Sequence, residues 1–191
     1  MVRLNRIYTR TGDRGETGLA DGSRISKAHP RTQAVGDVDE ANSAIGVALL
    51  QVGEDSARLK LARIQNEMFD LGADIATPGE DFAPSEMTLR IVQDQIDRLE
   101  QEIDEMNAAL EPLRSFILPG GGGGSAPLHL ARAIVRRAER SAVAAAEEVR
   151  LNPLALTYLN RLSDHLFVMA RWLAREQGGD VLWEPGATRN R

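Results

Sequence analysis

The chain has 191 residues, 42% of them hydrophobic and 27% charged, enough for one domain with a sizeable core. Its formal net charge of −5 argues against non-specific nucleic-acid binding, and the absence of cysteine excludes disulfides, thiolate zinc sites and cysteine nucleophiles. No apolar run approaches a membrane span and the N-terminus, MVRLNRIYTRTGD, lacks an apolar core of signal-peptide length, so a cytoplasmic location with no membrane partner is expected.

Residues 1–30 read as a polar, glycine-rich arm without a helical stripe. Gly12, Gly15, Gly18 and Gly22 allow tight turns whose backbone N–H groups can converge on an anion. The hydroxyls of Thr9, Thr11 and Thr17, with Lys27 further on, suit phosphate oxygens. A solvated arm with turns is the alternative reading. The GxxxxGK[ST] spacing is absent, so this is not a Walker A loop.

Helical periodicity begins near Arg31 and runs to Gln51 on Val35, Val38, Ala41, Ile45 and Ala48. Asp37, Asp39 and Glu40 in this helix read either as a solvated face or as partners for an arginine from elsewhere. A second helix spans Ser56 to Ile75, and a third Thr88 to Asn107, with Leu89, Val92, Ile96, Leu99, Ile103 and Met106 as its seam. The fourth opens at Ser125, read as an N-cap, after the five glycines Gly120 to Gly124. The fifth starts at Asn152-Pro153 and stops at Gly178-Gly179. No strand is expected. The fold class is all-α: a five-helix antiparallel bundle of ferritin-like, up-and-down architecture. It is one domain over 1–191, with the arm at 1–30, the bundle at 31–177 and a tail at 178–191. A ferritin-like di-metal site is disfavoured, because none of His29, His129 and His165 follows a glutamate by three residues.

The fourth helix concentrates charge. His129, Arg132, Arg136, Glu139 and Arg140 lie three or four apart on one face, with Arg137 beside them. Arginine-rich faces are usually just solvated. Here the row follows a glycine tract at a helix start, where backbone N–H groups are free, and Glu139 is placed to orient Arg136. The fifth helix offers Asn160, an indifferent helix former whose amide could meet a base, ribose or phosphate. Phe116, before the glycines, is by default a core residue and otherwise a wall for a large flat ligand.

Together these residues resemble the PduO-type ATP:cob(I)alamin adenosyltransferases. The likeness rests on four stretches in order: IYTRTGDRGETGL followed by Lys27, VGDVDEANSAIG, SFILPGG with LHLARAIVRRAER, and YLNRLSDHLFVMAR. The extended glycine run and Ala41, where leucine is more usual, are its small departures. The resemblance implies a homotrimer with sites between subunits, and transfer of the 5′-deoxyadenosyl group of ATP to cob(I)alamin with release of triphosphate. It implies ATP binding by Thr9, Arg10, Thr11, Gly12, Thr17, Lys27, Arg136, Arg137, Glu139, Arg140 and Asn160, with Mg²⁺ accompanying the ATP. It also implies an intersubunit salt bridge between Asp39 and Arg132. Phe116 is implied to displace the lower axial ligand of cobalamin, and Arg136, Phe116 and Asn160 to act in catalysis. A reductase and a cobalamin-dependent enzyme are further candidate partners. On this reading the glycine run is a hinge between the two ligands. Its rivals are another ATP-dependent enzyme, a nucleotide-sensing bundle without turnover, and a purely structural bundle.

Overall fold

The structure is a computed structural model that describes residues 8–85 and 88–189. Five helices dominate the described residues: α1 (Pro30–Leu49), α2 (Asp55–Ile75), α3 (Gln93–Asn107), α4 (Ser125–Glu148) and α5 (Pro153–Ala174). None is long and apolar enough to cross a membrane. Two short antiparallel strands, β1 (Glu16–Gly18) and β2 (Arg24–Ser26), lie in the N-terminal arm, where no strand was expected. Three-residue strands are too short to show alternation. The hairpin depends instead on local turn chemistry, with Gly22 at φ 84° and Ser23 N–H bonded to the Asp21 carboxylate at 2.9 Å.

Helix starts follow from their caps. His29 Nδ1 accepts from Arg31 N–H at 3.1 Å with Pro30 in the first turn, and Asn152 Oδ1 accepts from Leu154 N–H at 3.0 Å ahead of Pro153. Two starts differ from expectation. α3 begins at Gln93, five residues beyond Thr88. The buried Asp74 carboxylate holds the preceding segment extended by accepting from Ile91 N–H (2.8 Å) and Arg90 (2.7 Å), and Asn152 adds a third bond (2.7 Å). Leu89 therefore leaves the seam and is exposed. At α4 the cap is Gly124, at φ 93°, and Ser125 is the first helical residue, its hydroxyl donating to the Gly120 carbonyl. A Cβ on Gly124 would sit 2.6 Å from Val52 Cγ2, so the segment that follows α1 comes too close to the start of α4 for any side chain there. The neighbouring glycines abut Ser125, Leu173 and Gln177, so this run is packed against the ends of α1 and α5 rather than placed as a free hinge.

Cross-helix contacts fix directions. Arg31 reaches the Arg150 carbonyl, Asp37 meets Ser141 and Glu40 meets Arg137, so α1 and α4 run antiparallel. Asn160 against Glu139 and Phe167 against His129 make α4 and α5 antiparallel as well. Asn152 on Ile91 and Arg161 on Glu100 make α3 and α5 parallel. The core between the helices is aliphatic, from Ala34, Val38 and Ile45 through Leu61, Ile64 and Leu71 to Leu159, Leu162 and Leu166. Alanines 131, 138, 142 and 145 carry the close packing of α4.

This placement sets two ends. The arm is anchored where α1 starts and α2 and α4 finish: Ala20 N–H bonds the Ala76 carbonyl, and Thr32 bonds Ser26. Phe116, the glycines and the tail lie where α4 starts and α5 finishes. The 24 residues of α4 separate these ends by about 36 Å.

Candidate functional site

The arginines of α4 divide into two kinds. Arg137 is committed within the chain: it pairs with Glu40 and lies 3.6 Å from the buried carboxylate of Asp37, which Gln33 and Ser141 also bind. Arg132, Arg136 and Arg140 have no carboxylate partner among the described residues. They stand at i, i+4 and i+8, one stripe along the helix, and like-charge pairs at that spacing cost about 0.2–0.5 kcal/mol each. Arg140 donates only to the Arg136 carbonyl, at 2.9 Å. Arg132 lies 5.8 Å from the centre of the Phe167 ring, its Nε is buried and unbonded, and burial followed by the charge of Arg136 draws its pKa down. Such a row carries positive charge that no carboxylate among the described residues neutralises.

Glu139 does not orient Arg136. Its carboxylate accepts from Asn160 Nδ2 at 2.9 Å, which brings two of the expected residues together across the α4–α5 groove. Beside them His129 is buried edge-on to Phe167, ring centres 6.1 Å apart. Burial, with Arg132 nearby, pushes the His129 pKa down, so the ring is neutral at pH 7. On its far side Phe167 borders an open groove of about 540 Å³, rimmed by Glu100, Asp104, Arg161 and Asp164.

In the arm, Thr9 and Thr11 share a hydroxyl–hydroxyl bond of 2.8 Å, and Lys27 N–H bonds the Gly15 carbonyl. The Lys27 ammonium lies over Gly12, where an added Cβ would be 3.1 Å from Nζ. Thr17 sits on β1, paired with Ile25. Arg10, at φ 61°, is the one non-glycine residue with positive φ among the described residues, and its guanidinium lies 5.7 Å from the centre of the Tyr8 ring. The arm thus gathers hydroxyls, an ammonium and turn N–H groups in one place.

Phe116 is not core: it is 78% exposed. It belongs to a short ladder with the tail, in which Trp183 N–H bonds the Phe116 carbonyl (2.7 Å) and Leu118 N–H bonds the Val181 carbonyl (2.8 Å). The Trp183 ring meets Phe116 edge-on at 6.0 Å. Arg171, buried on α5, bonds Asp180 at the start of the tail segment and the Glu111 carbonyl in the segment that leads to Phe116. Sequence reasoning missed the tail's part in presenting Phe116. The signal available was two short runs of bulky apolar residues, Phe116-Ile117-Leu118 and Val181-Leu182-Trp183, each one residue away from a glycine pair or run.

The chain does not bring every expected residue together. Asp39 is exposed on α1 and has no partner among the described residues, Arg132 included. The arm and Phe116 stay at opposite ends of α4.

The sequence profile described as cobalamin adenosyltransferase matches residues 7–173. The chain belongs to that family, a family of transferases, and is of its PduO type. It is 52% identical over 192 residues to the corrinoid adenosyltransferase of Mycobacterium tuberculosis strain H37Rv, covering 98% of this chain and 97% of that one. It is 43% identical over 165 residues to the corrinoid adenosyltransferase PduO of Salmonella typhimurium, covering 86% of this chain and 48% of that one. Among solved structures, a PduO-type ATP:corrinoid adenosyltransferase from Lactobacillus reuteri, a phenylalanine-to-histidine variant complexed with cobalamin and ATP, superposes with a TM-score of 0.86 at 36% identity. That match covers 94% of this chain and 97% of the other.

Proposed function

We propose that this protein transfers the 5′-deoxyadenosyl group of ATP to cob(I)alamin. In this reaction Co(I) attacks the 5′ carbon in line, the Co–C bond forms as the C–O bond to the triphosphate breaks, and triphosphate leaves. Family membership supports the reaction class. The observation that carries the assignment of the site is the unpaired stripe Arg132, Arg136 and Arg140, flanked by Asn160 bonded to Glu139. A substrate that supplies its own nucleophile needs no serine, cysteine or histidine nucleophile. The protein's work is orientation and charge.

In the proposed complex Arg136 and Arg140, with Lys27 and the arm's N–H groups, hold the triphosphate as charge builds on the leaving oxygen. The bond from Asn160 fixes Glu139 and leaves the amide carbonyl for the nucleoside. Among the described residues no group of three or more His, Asp or Glu could hold a metal by itself. Mg²⁺ would therefore enter on the ATP phosphates, with protein ligands few or none, and would neutralise phosphate charge there. Phe116, already exposed on a braced ladder, would press on the lower face of the corrin, keep it dry and displace the axial ligand, which makes reduction to Co(I) easier.

The separation of arm and Phe116 by the length of α4 supports a site built from two copies in a homotrimer, within an up-and-down bundle. Asp39 and Arg132, each without an ion-pair partner among the described residues, are then partners between copies. Arg137 acts in this scheme through Asp37 and Glu40, as a brace for α4, rather than on phosphate. The test is anaerobic turnover with ATP and cob(I)alamin. Adenosylcobalamin should form, and its absence with ATP bound would favour a nucleotide-sensing bundle.

A further inference from the structure

Arg24 is none of the residues expected to touch ligand, yet its side chain bonds the backbone of the arm's turn. It sits on β2 opposite Gly18. Its Nη2 donates to the Thr11 carbonyl at 2.7 Å and to the Glu16 carbonyl at 3.3 Å, while Nε faces the Glu16 carboxylate at 3.4 Å. The bond to Thr11 has two consequences. In a planar trans peptide the C=O and N–H point opposite ways, so holding the Thr11 carbonyl toward Arg24 turns the Gly12 N–H away from it. That N–H has no partner among the described residues, and the Lys27 ammonium lies over the same glycine. The second consequence concerns Arg10. Its left-handed backbone costs on the order of 1–2 kcal/mol for a residue with a side chain. Such a conformation persists when neighbouring bonds over-determine it, and the Arg24 bond is made to the next residue.

We propose that Arg24 is a positioning residue for the nucleotide: by fixing the Thr11 carbonyl it keeps Arg10 left-handed and the Gly12 N–H aimed at phosphate. This rests on the reading that the arm takes ATP. Arg24 itself touches no ligand. Its guanidinium is spent on two carbonyls and a carboxylate.

The experiment is a double-mutant cycle read in the steady state with ATP and cob(I)alamin. Arg24→Met should raise the KM for ATP by about tenfold, the worth of a hydrogen bond to a charged group. It should leave kcat at saturating ATP within about twofold, the KM for cobalamin unchanged and the melting temperature close to wild type. Glycine adopts positive φ freely, so in an Arg10→Gly background the same Arg24→Met change should cost only about twofold to threefold. Arg24→Lys, which keeps the charge but not the planar fork, should fall between. A full tenfold loss in both backgrounds, near-complete rescue by lysine, or an unchanged KM for ATP would each overturn the proposal. Direct ATP titration of the wild type separates the two levels. No binding there overturns the reading of the arm itself, whereas tight wild-type binding with a silent Arg24→Met overturns only the role of Arg24.

Discussion

Arg136 and Arg137 are adjacent on α4 and have opposite surroundings. Arg137 is paired with Glu40 and the buried Asp37, while Arg136 is exposed and has no carboxylate partner among the described residues. The difference predicts which arginine stabilises the fold and which binds ligand. Arg136→Ala should lower kcat/KM by a factor of about 10²–10³, the loss seen when one preorganised donor to a developing charge is removed. Its melting temperature should hold or rise slightly as repulsion along the stripe is relieved. Adenosylcobalamin formation and a thermal melt on the same preparation check both halves.

Arg137→Ala should do the reverse. Arg137 is partly solvent-exposed, which weakens its ion pairs, but Asp37 is buried and would lose its cation. The melting temperature should fall by a few degrees, because the buried Asp37 carboxylate is left without its cation. ATP affinity measured below the melting range should change little. A large loss of ATP affinity without a thermal shift would return Arg137 to the phosphate site.

Stability should fall on acidification because of a buried pair between α3 and α5. His165 Nε2 meets Glu102 at 2.8 Å, and Arg63 binds the same carboxylate through two nitrogens. Hydrogen bonds from Arg63 and His165 outweigh the burial that would raise the Glu102 pKa and hold it well below the usual carboxylate range. Its contribution is therefore present above the unfolded value near 4.5 and is lost as pH falls through the folded one. Burial pushes the His165 pKa down, so below its unfolded value of 6.5 the unfolded chain takes up a proton that the folded one does not, and stability again drops with pH. Both effects have one sign. Thermal melts between pH 7.5 and 4 should decline from about 6.5 downward, and His165→Gln should flatten the upper part of that decline. Lys60 also lies 3.3 Å from Glu102, so the lower part should persist in that variant.

Phe116→Ala should leave the melting temperature and ATP affinity near wild type, because the ring is exposed and meets only the edge of Trp183. What should be lost is the spectral signature of axial-ligand-free Co(II) on cobalamin binding. An unchanged Co(II) spectrum would remove Phe116 from the corrin site.

Much of this was legible in the sequence. All five helices follow apolar periodicity, and Asn152-Pro153 marks the start of α5 as its cap chemistry requires. The arginine row, Asn160 and the arm were visible as motifs. What was not legible depended on long-range contacts. The apolar spacing of Leu89 and Val92 continues the α3 seam, yet Asp74, some fifteen residues earlier, holds that segment extended. Arg137 looks like its neighbours until Asp37 and Glu40 arrive from α1. Phe116 looks like core until the tail is seen to pair with its backbone and leave the ring outside.

The central claim is an adenosyl transfer from ATP to Co(I). It is tested most directly by quantifying both products of one anaerobic reaction of the purified protein with ATP and cob(I)alamin. One triphosphate released per adenosylcobalamin formed is the predicted result. ATP consumed to ADP or AMP with no Co–C bond formed would contradict it.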